Sequence, residues 1–328
     1  MHKKFCTALA LLAAVSTCLS GCSSSSAASS SETVRILTIG TADSGGTMYP
    51  VGKAISQVIS NADKQINVNI SASNGSRSNV QSLHNGEIDL GLVSGDVAFA
   101  AVNGQDEFKE NPLDDICIIA AVYPSLSNWI APSSLGISYV RDLRGKRIGV
   151  GPQDSTTEIS ARIVLRTVGI DAKNSYLENC GLGSGADSVT DGTLDAIHGF
   201  AGVPISGLSE LADKVPCTIL RYTSDELRSI LRENSFYYQD MIPAGTYKGQ
   251  EKAVDTFGIK CLLCVSADMD EDLVYELTSI LYENTDALAD KHQALSSMSR
   301  KGFMCDALPI ALHPGAERFY REHGLLEE

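Results

Sequence analysis

The stretch Val34-Arg35-Ile36-Leu37-Thr38-Ile39-Gly40-Thr41-Ala42-Asp43-Ser44-Gly45-Gly46-Thr47-Met48-Tyr49-Pro50-Val51-Gly52 decides the fold. Its first six residues are a short β-favouring run. Residues 40–49 form a loop of Gly, Ser and Thr. Pro50 suits the start of a helix, because its missing N–H would have no intrahelical partner and its φ is already near the helical value. Val51, Ala54, Ile55, Val58 and Ile59 then fall on one face at the helical period. A strand, a polar glycine-rich turn and a helix make up the unit from which parallel sheets with crossover helices are built.

The same unit recurs along the chain. Residues 66–71 alternate as a strand through Ile66, Val68 and Ile70, and Asn74-Gly75-Ser76 turns into a helix carrying Val80 and Leu83. Residues 88–93 read as a third strand, followed by Ser94-Gly95-Asp96 and a helix from Val97. Residues 146–150 form a strand whose loop leads to Ser155-Thr156-Thr157-Glu158. That order has the form of a capping box, in which the Ser and Glu side chains satisfy each other's backbone N–H groups. Residues 182–186 read as a Gly-rich loop into another helix, and 194–197 as a strand running into His198-Gly199-Phe200-Ala201-Gly202. Helical periodicity returns over 272–289. Two clusters of such turns predict two α/β lobes, with ligand at the carboxyl ends of the strands. The expected boundaries are 33–130 plus 258–328 for the first lobe and 131–257 for the second.

The N-terminus reads as a targeting segment. Lys3 and Lys4 precede the apolar residues 9–15, a stretch too short to span a bilayer and suited to a cleaved leader. Leu19-Ser20-Gly21-Cys22 then resembles the lipobox of bacterial lipoproteins, which implies a leader over 1–21, lipid on Cys22 and an extracytoplasmic protein held at the cell membrane. Residues 22–32, almost all Ser and Ala after the cysteine, read as a flexible tether that cannot bury a core. Roughly 295 residues remain for folding, enough for one large or two medium domains.

Of the 328 residues, 43% are hydrophobic and 20% charged, with a formal net charge of −14. That composition is ordinary for a globular protein, and the charge disfavours nucleic acid and anionic lipid as partners. Cys261-Leu262-Leu263-Cys264 has redox-motif spacing but lies in the apolar run 259–265, where positions three apart face opposite sides of a strand. Buried thiols are the expectation there, with no metal.

The chemistry-bearing pattern is the polar turn that opens a helix, found at 41–47, 74–76, 94–96 and 155–157. Each helix start offers unpaired N–H groups and the positive end of a dipole worth about 0.3–1 kcal/mol to an anion. Any one Ser or Thr can simply cap its own helix. Four such turns in two clusters point instead to a shared anion site that needs no metal and no cofactor. A phosphate cradle is excluded, because Gly46 stands where the P-loop lysine belongs. Arg77 is a candidate partner for a ligand carboxylate and Asp96 for a ligand amino group. Neither G-x-S-x-G nor H-E-x-x-H occurs, and no nucleophile pairs with a histidine by local motif, so an enzyme is not expected.

Gly45-Gly46-Thr47-Met48-Tyr49-Pro50-Val51-Gly52 resembles the opening motif of the TAXI family, the solute-binding subunits of TRAP (tripartite ATP-independent periplasmic) transporters. Matching segments include Asn74-Gly75-Ser76, residues 86–97, Asp142-Leu143-Arg144-Gly145-Lys146, residues 242–247 and residues 312–318. The resemblance implies a two-lobed α/β fold of the type II periplasmic-binding-protein kind, with the ligand cleft between the lobes. It implies small carboxylates such as glutamate or 2-oxoglutarate as solutes and a TRAP permease as membrane partner. An ABC-type or sensory lipoprotein of the same fold is the alternative. Carried onto this chain, the ligand-binding residues are Ser44, Thr47, Met48, Tyr49, Ser76, Arg77, Ser94 and Asp96 in the first lobe. Ser155, Thr156, Thr157, Gly202, Val203 and Pro204 follow in the second. Met48 departs from the family's tyrosine, and Ser94-Gly95 and His198-Gly199 depart from its usual residues, which bears on the solute more than on the fold.

Overall fold

The computed structural model describes residues 34–326 apart from 235; Cys22, the leader and the tether lie outside them. The first elements in chain order are β1 (Arg35–Gly40), α1 (Met48–Ala62), β2 (Ile66–Ser71), α2 (Ser76–His84), β3 (Leu90–Ser94) and α3 (Gly95–Val102). β1 pairs in parallel with β2 on one side and β3 on the other, as crossover helices require. The chain then runs through β4 (Ile116–Pro132), β5 (Arg147–Gly151), α4 (Thr156–Thr167), β6 (Tyr176–Asn179), α5 (Leu182–Thr190) and β7 (Ala196–Ala201). β5 lies between β6 and β7, again in parallel. α6 (Ser206–Lys214), β8 (Cys217–Ile219), α7 (Ser224–Glu233), β9 (Tyr238–Ile242) and β10 (Val254–Ser266) follow. The last helices are α8 (Glu271–Glu283), α9 (Thr285–Lys291) and α10 (Pro314–Glu322).

Among the described residues the strands form one curled sheet in the order β2-β1-β3-β10-β4-β7-β5-β6, with β8 beside β4 and β9 beside β10. Its centre is the antiparallel pair of β4, 17 residues long, and β10, 13 residues long. Nearly every residue of both is buried, because helices cover both faces, so neither strand shows the polar alternation of a half-exposed one. Each long strand serves two cores in turn. On β4, Ile119 and Val122 pack with α1, α8 and α10, and Ile118 and Ala121 with α2 and α3. Beyond Ser125, Trp129 and Ala131 pack with α4 and α7, and Leu126 and Ile130 with α5 and α6. β10 changes over between Ile259 and Cys261. Each half is therefore a layer of sheet between two layers of helix.

The changeover has a backbone cause. Pro124 pairs with Lys260 at mid-strand, where proline withholds a ladder donor. Gly258 pairs with Leu126, and a Cβ there would stand 2.6 Å from the Ser125 carbonyl oxygen. Cys261 and Cys264 sit on opposite faces of β10, one in each core of the first half, and both are free buried thiols.

One expectation is corrected. Residues 182–186 are not a loop but the first turns of α5. Glycine is a poor helix former, yet here it is required by packing: a Cβ on Gly185 would stand 2.4 Å from Ile197 Cδ1.

The second half is fixed by a fully buried polar chain. His198 on β7 packs against Trp129 with ring centroids 4.3 Å apart and the ring planes tilted by 33°. Its Nδ1 lies 3.2 Å from the Thr157 carbonyl, which only accepts, so Nδ1 carries the proton. Nε2 then accepts from Ser127 Oγ at 2.9 Å, Ser127 accepts from the Tyr222 hydroxyl at 2.7 Å, and Tyr222 accepts from Trp129 Nε1 at 2.8 Å. Each proton has one direction, and a second proton on His198 would leave a donor unmatched. Burial holds the His198 pKa down at about 3, against 6.5 for a free histidine. A depressed base is fully stabilising above the unfolded value and loses that contribution as pH falls from 6.5 toward 3. Urea melts should show stability falling with acid by up to ~1.4 kcal/mol per pH unit from this group alone. The His198→Gln variant should have a shallower dependence between about pH 6 and pH 5; an unchanged slope would show that His198 is not held neutral.

Candidate functional site

A cavity of about 270 Å³ lies between the two halves. In the first half its wall is built from Thr47 and Met48 at the start of α1, Asn74, Gly75 and Ser76 at the start of α2, and Tyr123 on β4. In the second half it is built from Ser155, Thr156 and Thr157 at the start of α4, Leu182 at the start of α5, and Phe200 and Ala201 at the end of β7. Four helices thus begin at one cavity, each entered from the carboxyl end of a parallel strand.

Local sequence sets each helix start. Gly75 has φ 99°, a conformation open to glycine, and it turns the chain directly into Ser76. Asn79, one turn on, donates to the Thr41 carbonyl at 2.8 Å and the Leu92 carbonyl at 2.7 Å, fastening α2 across the ends of β1 and β3. Ser76 Oγ accepts from Ser94 N at 2.9 Å and keeps its own proton for another acceptor. Ser155 caps α4, accepting from Glu158 N at 3.2 Å and donating to the Pro152 carbonyl at 2.6 Å, so its hydroxyl is fully engaged. The Glu158 carboxylate turns to Asp154 N and Arg162, so the reciprocal half of the expected box goes to Asp154 rather than to Ser155. Two hydroxyl groups in the wall make no hydrogen bond of full geometry: that of Thr156, and that of Tyr123, which has only Ser125 and the Cys261 thiol near it. Burial raises the Tyr123 phenol well above its ordinary range, so it stays a neutral donor.

The halves touch directly across the mouth. The Thr47 hydroxyl donates to the Gly202 carbonyl, and Gly207 N donates to the Gly45 carbonyl at 3.0 Å. Asp43 accepts from Gly45 N at 3.1 Å and, across the cleft, from Leu182 N at 3.0 Å. Its carboxylate thereby sits at the positive end of α5. Gly45 approaches Gly183 so closely that a Cβ would stand 2.3 Å from the Gly183 nitrogen.

Of the residues expected from the sequence, the cavity wall contains Thr47, Met48, Ser76, Ser155, Thr156 and Thr157. Gly202 lies just outside it and acts through its carbonyl, followed by the cis peptide between Val203 and Pro204. Ser44 is exposed on the turn, and Tyr49 lies on α1 away from the wall. Ser94 supplies a backbone N–H to Ser76. Arg77 is turned to Glu107 at 2.5 Å and Asp154 at 3.6 Å. The Asp96 carboxylate accepts from Val97 N at 2.8 Å, and burial pushes its pKa up. Asp43, Tyr123, Leu182 and Phe200 belong to the site without having been singled out. Asp43 and Leu182 stand in turns already marked by their glycines, whereas nothing local marks Tyr123 within the apolar run of β4. Among the described residues no histidine or cysteine lines the cavity, and its Ser155 and Thr47 hydroxyls are engaged with carbonyls.

The NMT1-like family matches residues 39–324, which spans both halves and every helix start at the cavity. The chain belongs to the NMT1-like family. Solved structures of similar fold cover most of the chain. MatC from Rhodopseudomonas palustris with bound malate is similar at a TM-score of 0.59 and 13% identity, covering 90% of this chain and 99% of that one. A protein of Bordetella bronchiseptica RB50 is similar at 0.50 and 15%, covering 90% of each chain. The periplasmic aliphatic sulphonate binding protein SsuA from Escherichia coli gives 0.45 and 12%, covering 88% of each. At these identities the likeness is one of fold.

The tight approach at the mouth is testable in this NMT1-like chain. Gly45→Ala should keep each half folded but hold the halves apart, since the clash is with backbone that cannot turn aside. Small-angle scattering should show a larger radius of gyration than for the unaltered chain; an unchanged radius would mean that the Gly45–Gly183 approach does not limit closure.

Proposed function

We propose that this NMT1-like chain is an extracytoplasmic receptor, not an enzyme, that captures a small carboxylate-bearing solute by cleft closure and delivers it to a TRAP-type permease. The observation that carries this reading is the convergence of four helix N-termini from both halves on one cavity. Leu182 N at the start of α5 is already taken by Asp43, while the first-turn N–H groups of α1, α2 and α4 lack intrahelical acceptors, which suits an anion at the cavity they share. A ligand bridging the halves favours the shut form by as much as it prefers that form over the open one. The changeover at Pro124–Ser125 and Gly258–Lys260 is the natural hinge, since only two strands and their short crossing need to bend. The described residues 34–125 with 260–326, and 126–259, would then move as lobes, with the expected boundaries at 130 and 258 shifted to the changeover.

The TRAP assignment rests on the TAXI-like segments of the sequence, and the bound malate of MatC is in keeping with a carboxylate solute. The lipobox at Cys22 supplies the anchor, and the Ser/Ala tether gives the receptor reach to a permease in the same membrane. Among the described residues no helix is long and apolar enough to cross a membrane. Ser76, Thr156 and Thr157 are assigned to the solute's carboxylate, with Thr47 holding the closed mouth.

A thermal-shift screen of small carboxylates tests the reading. A true ligand at a hundred times its Kd should raise Tm by about 5 °C, since binding the native state alone stabilises it by mass action. No shift with any carboxylate would refute the solute class. Cys22→Ser should move the protein from the membrane fraction to the soluble one; retention in the membrane would refute the anchor.

A further inference from the structure

The wall chemistry of the cavity narrows the solute, on the footing of the receptor reading above. Among the described residues no Lys or Arg side chain lines it. Arg77, next in sequence to the lining Ser76, is held by Glu107 at 2.5 Å and Asp154 at 3.6 Å. A second carboxylate on the solute would therefore be buried without a cation, which is strongly unfavourable. An ammonium fares no better. The lining carboxylate, Asp43, already accepts from Gly45 N and Leu182 N, and Asp96 lies outside the wall.

What remains is mostly apolar. Met48, Tyr123, Pro152, Leu182, Phe200 and Ala201 present carbon to the cavity, whose 270 Å³ is at the small end for ligand sites. Against this surface stand two hydroxyls that make no hydrogen bond of full geometry, Tyr123 having only Ser125 and the weakly accepting Cys261 thiol near it. Tyr123 is wholly buried, and the Thr156 oxygen is buried beside the first-turn N–H groups of α4. An unmatched buried hydroxyl is unfavourable in the closed form unless the solute supplies an acceptor.

We infer that the solute is a monocarboxylate with a compact apolar body and one further oxygen, the class of short branched-chain 2-oxo and 2-hydroxy acids. The carboxylate sits at the starts of α2 and α4 and takes the Thr156 hydroxyl. The 2-oxygen takes the Tyr123 hydroxyl. The branched body packs on Leu182 and Phe200.

Isothermal titration of the full-length protein in detergent tests this, with 4-methyl-2-oxopentanoate, 2-oxoglutarate, L-leucine and L-glutamate as probes. The Kd for 4-methyl-2-oxopentanoate should be at least about tenfold below those of the other three, and Tyr123→Phe should raise it about tenfold, the effect of one buried hydrogen bond. Tighter or equal binding of 2-oxoglutarate or of either amino acid would overturn the inference and leave the receptor reading standing. Binding of none of the four by a chain whose circular dichroism shows it folded would overturn the inference together with the carboxylate reading. Tyr123→Phe removes a hydroxyl with no full-geometry hydrogen bond, circular dichroism checks that the variant is folded, and an unchanged Kd would overturn the role of Tyr123. Thr156→Val supplies the matching control for the carboxylate end.

Discussion

The antiparallel pairing of β4 with β10 is the constraint on which the rest of the structure depends. Each strand is long enough to run through both halves, and each gives its side chains to one pair of cores before the crossing and to another pair after it. The two parallel sheets are therefore not separate modules joined by linkers. They are flanks laid on one continuous spine, and the cavity is the gap left where the flanks diverge. Pro124 and Gly258 at the crossing weaken the ladder at the place where the spine changes partners.

The site draws its character from backbone more than from side chains. Helix starts supply donors whose direction is fixed by the fold, and several side-chain hydroxyls near them are already occupied. Ser155 is closed between Glu158 N and the Pro152 carbonyl, and Thr47 is turned to Gly202. The buried chain from Trp129 through Tyr222 and Ser127 to His198 ends on the Thr157 carbonyl, so it anchors the first turn of α4 to the core of the second half. A wall residue is thereby held by a proton order set several side chains away.

How much of this was legible in the sequence follows from how local each feature is. The strand, glycine turn and helix units were readable because their signals lie within about fifteen residues, and β1, α1 and β2 fall within a few residues of their expected bounds. Thr47, Met48, Ser76, Ser155, Thr156 and Thr157 were legible as helix starts, and the fold brings them to one cavity. β4 was not, since a strand buried on both faces has no alternation to betray its period. Arg77 looks available to a ligand until the fold brings Glu107 and Asp154 to it from distant loops. The glycines of 181–185 suggest a loop because sequence reports their flexibility, while the structure uses their small size.

The mouth is fastened by main-chain atoms on both sides: the carbonyls of Gly45 and Gly202 and the amides of Leu182 and Gly207, with Asp43 and Thr47 as the side chains involved. The lining that would discriminate between solutes lies deeper, on Met48, Tyr123, Leu182 and Phe200. The latch and the reader are thus largely separate sets of atoms. Substitution in the lining leaves most of the clasp chemically untouched, so the inner wall can change its chemistry while the contacts that hold the two halves together stay as they are.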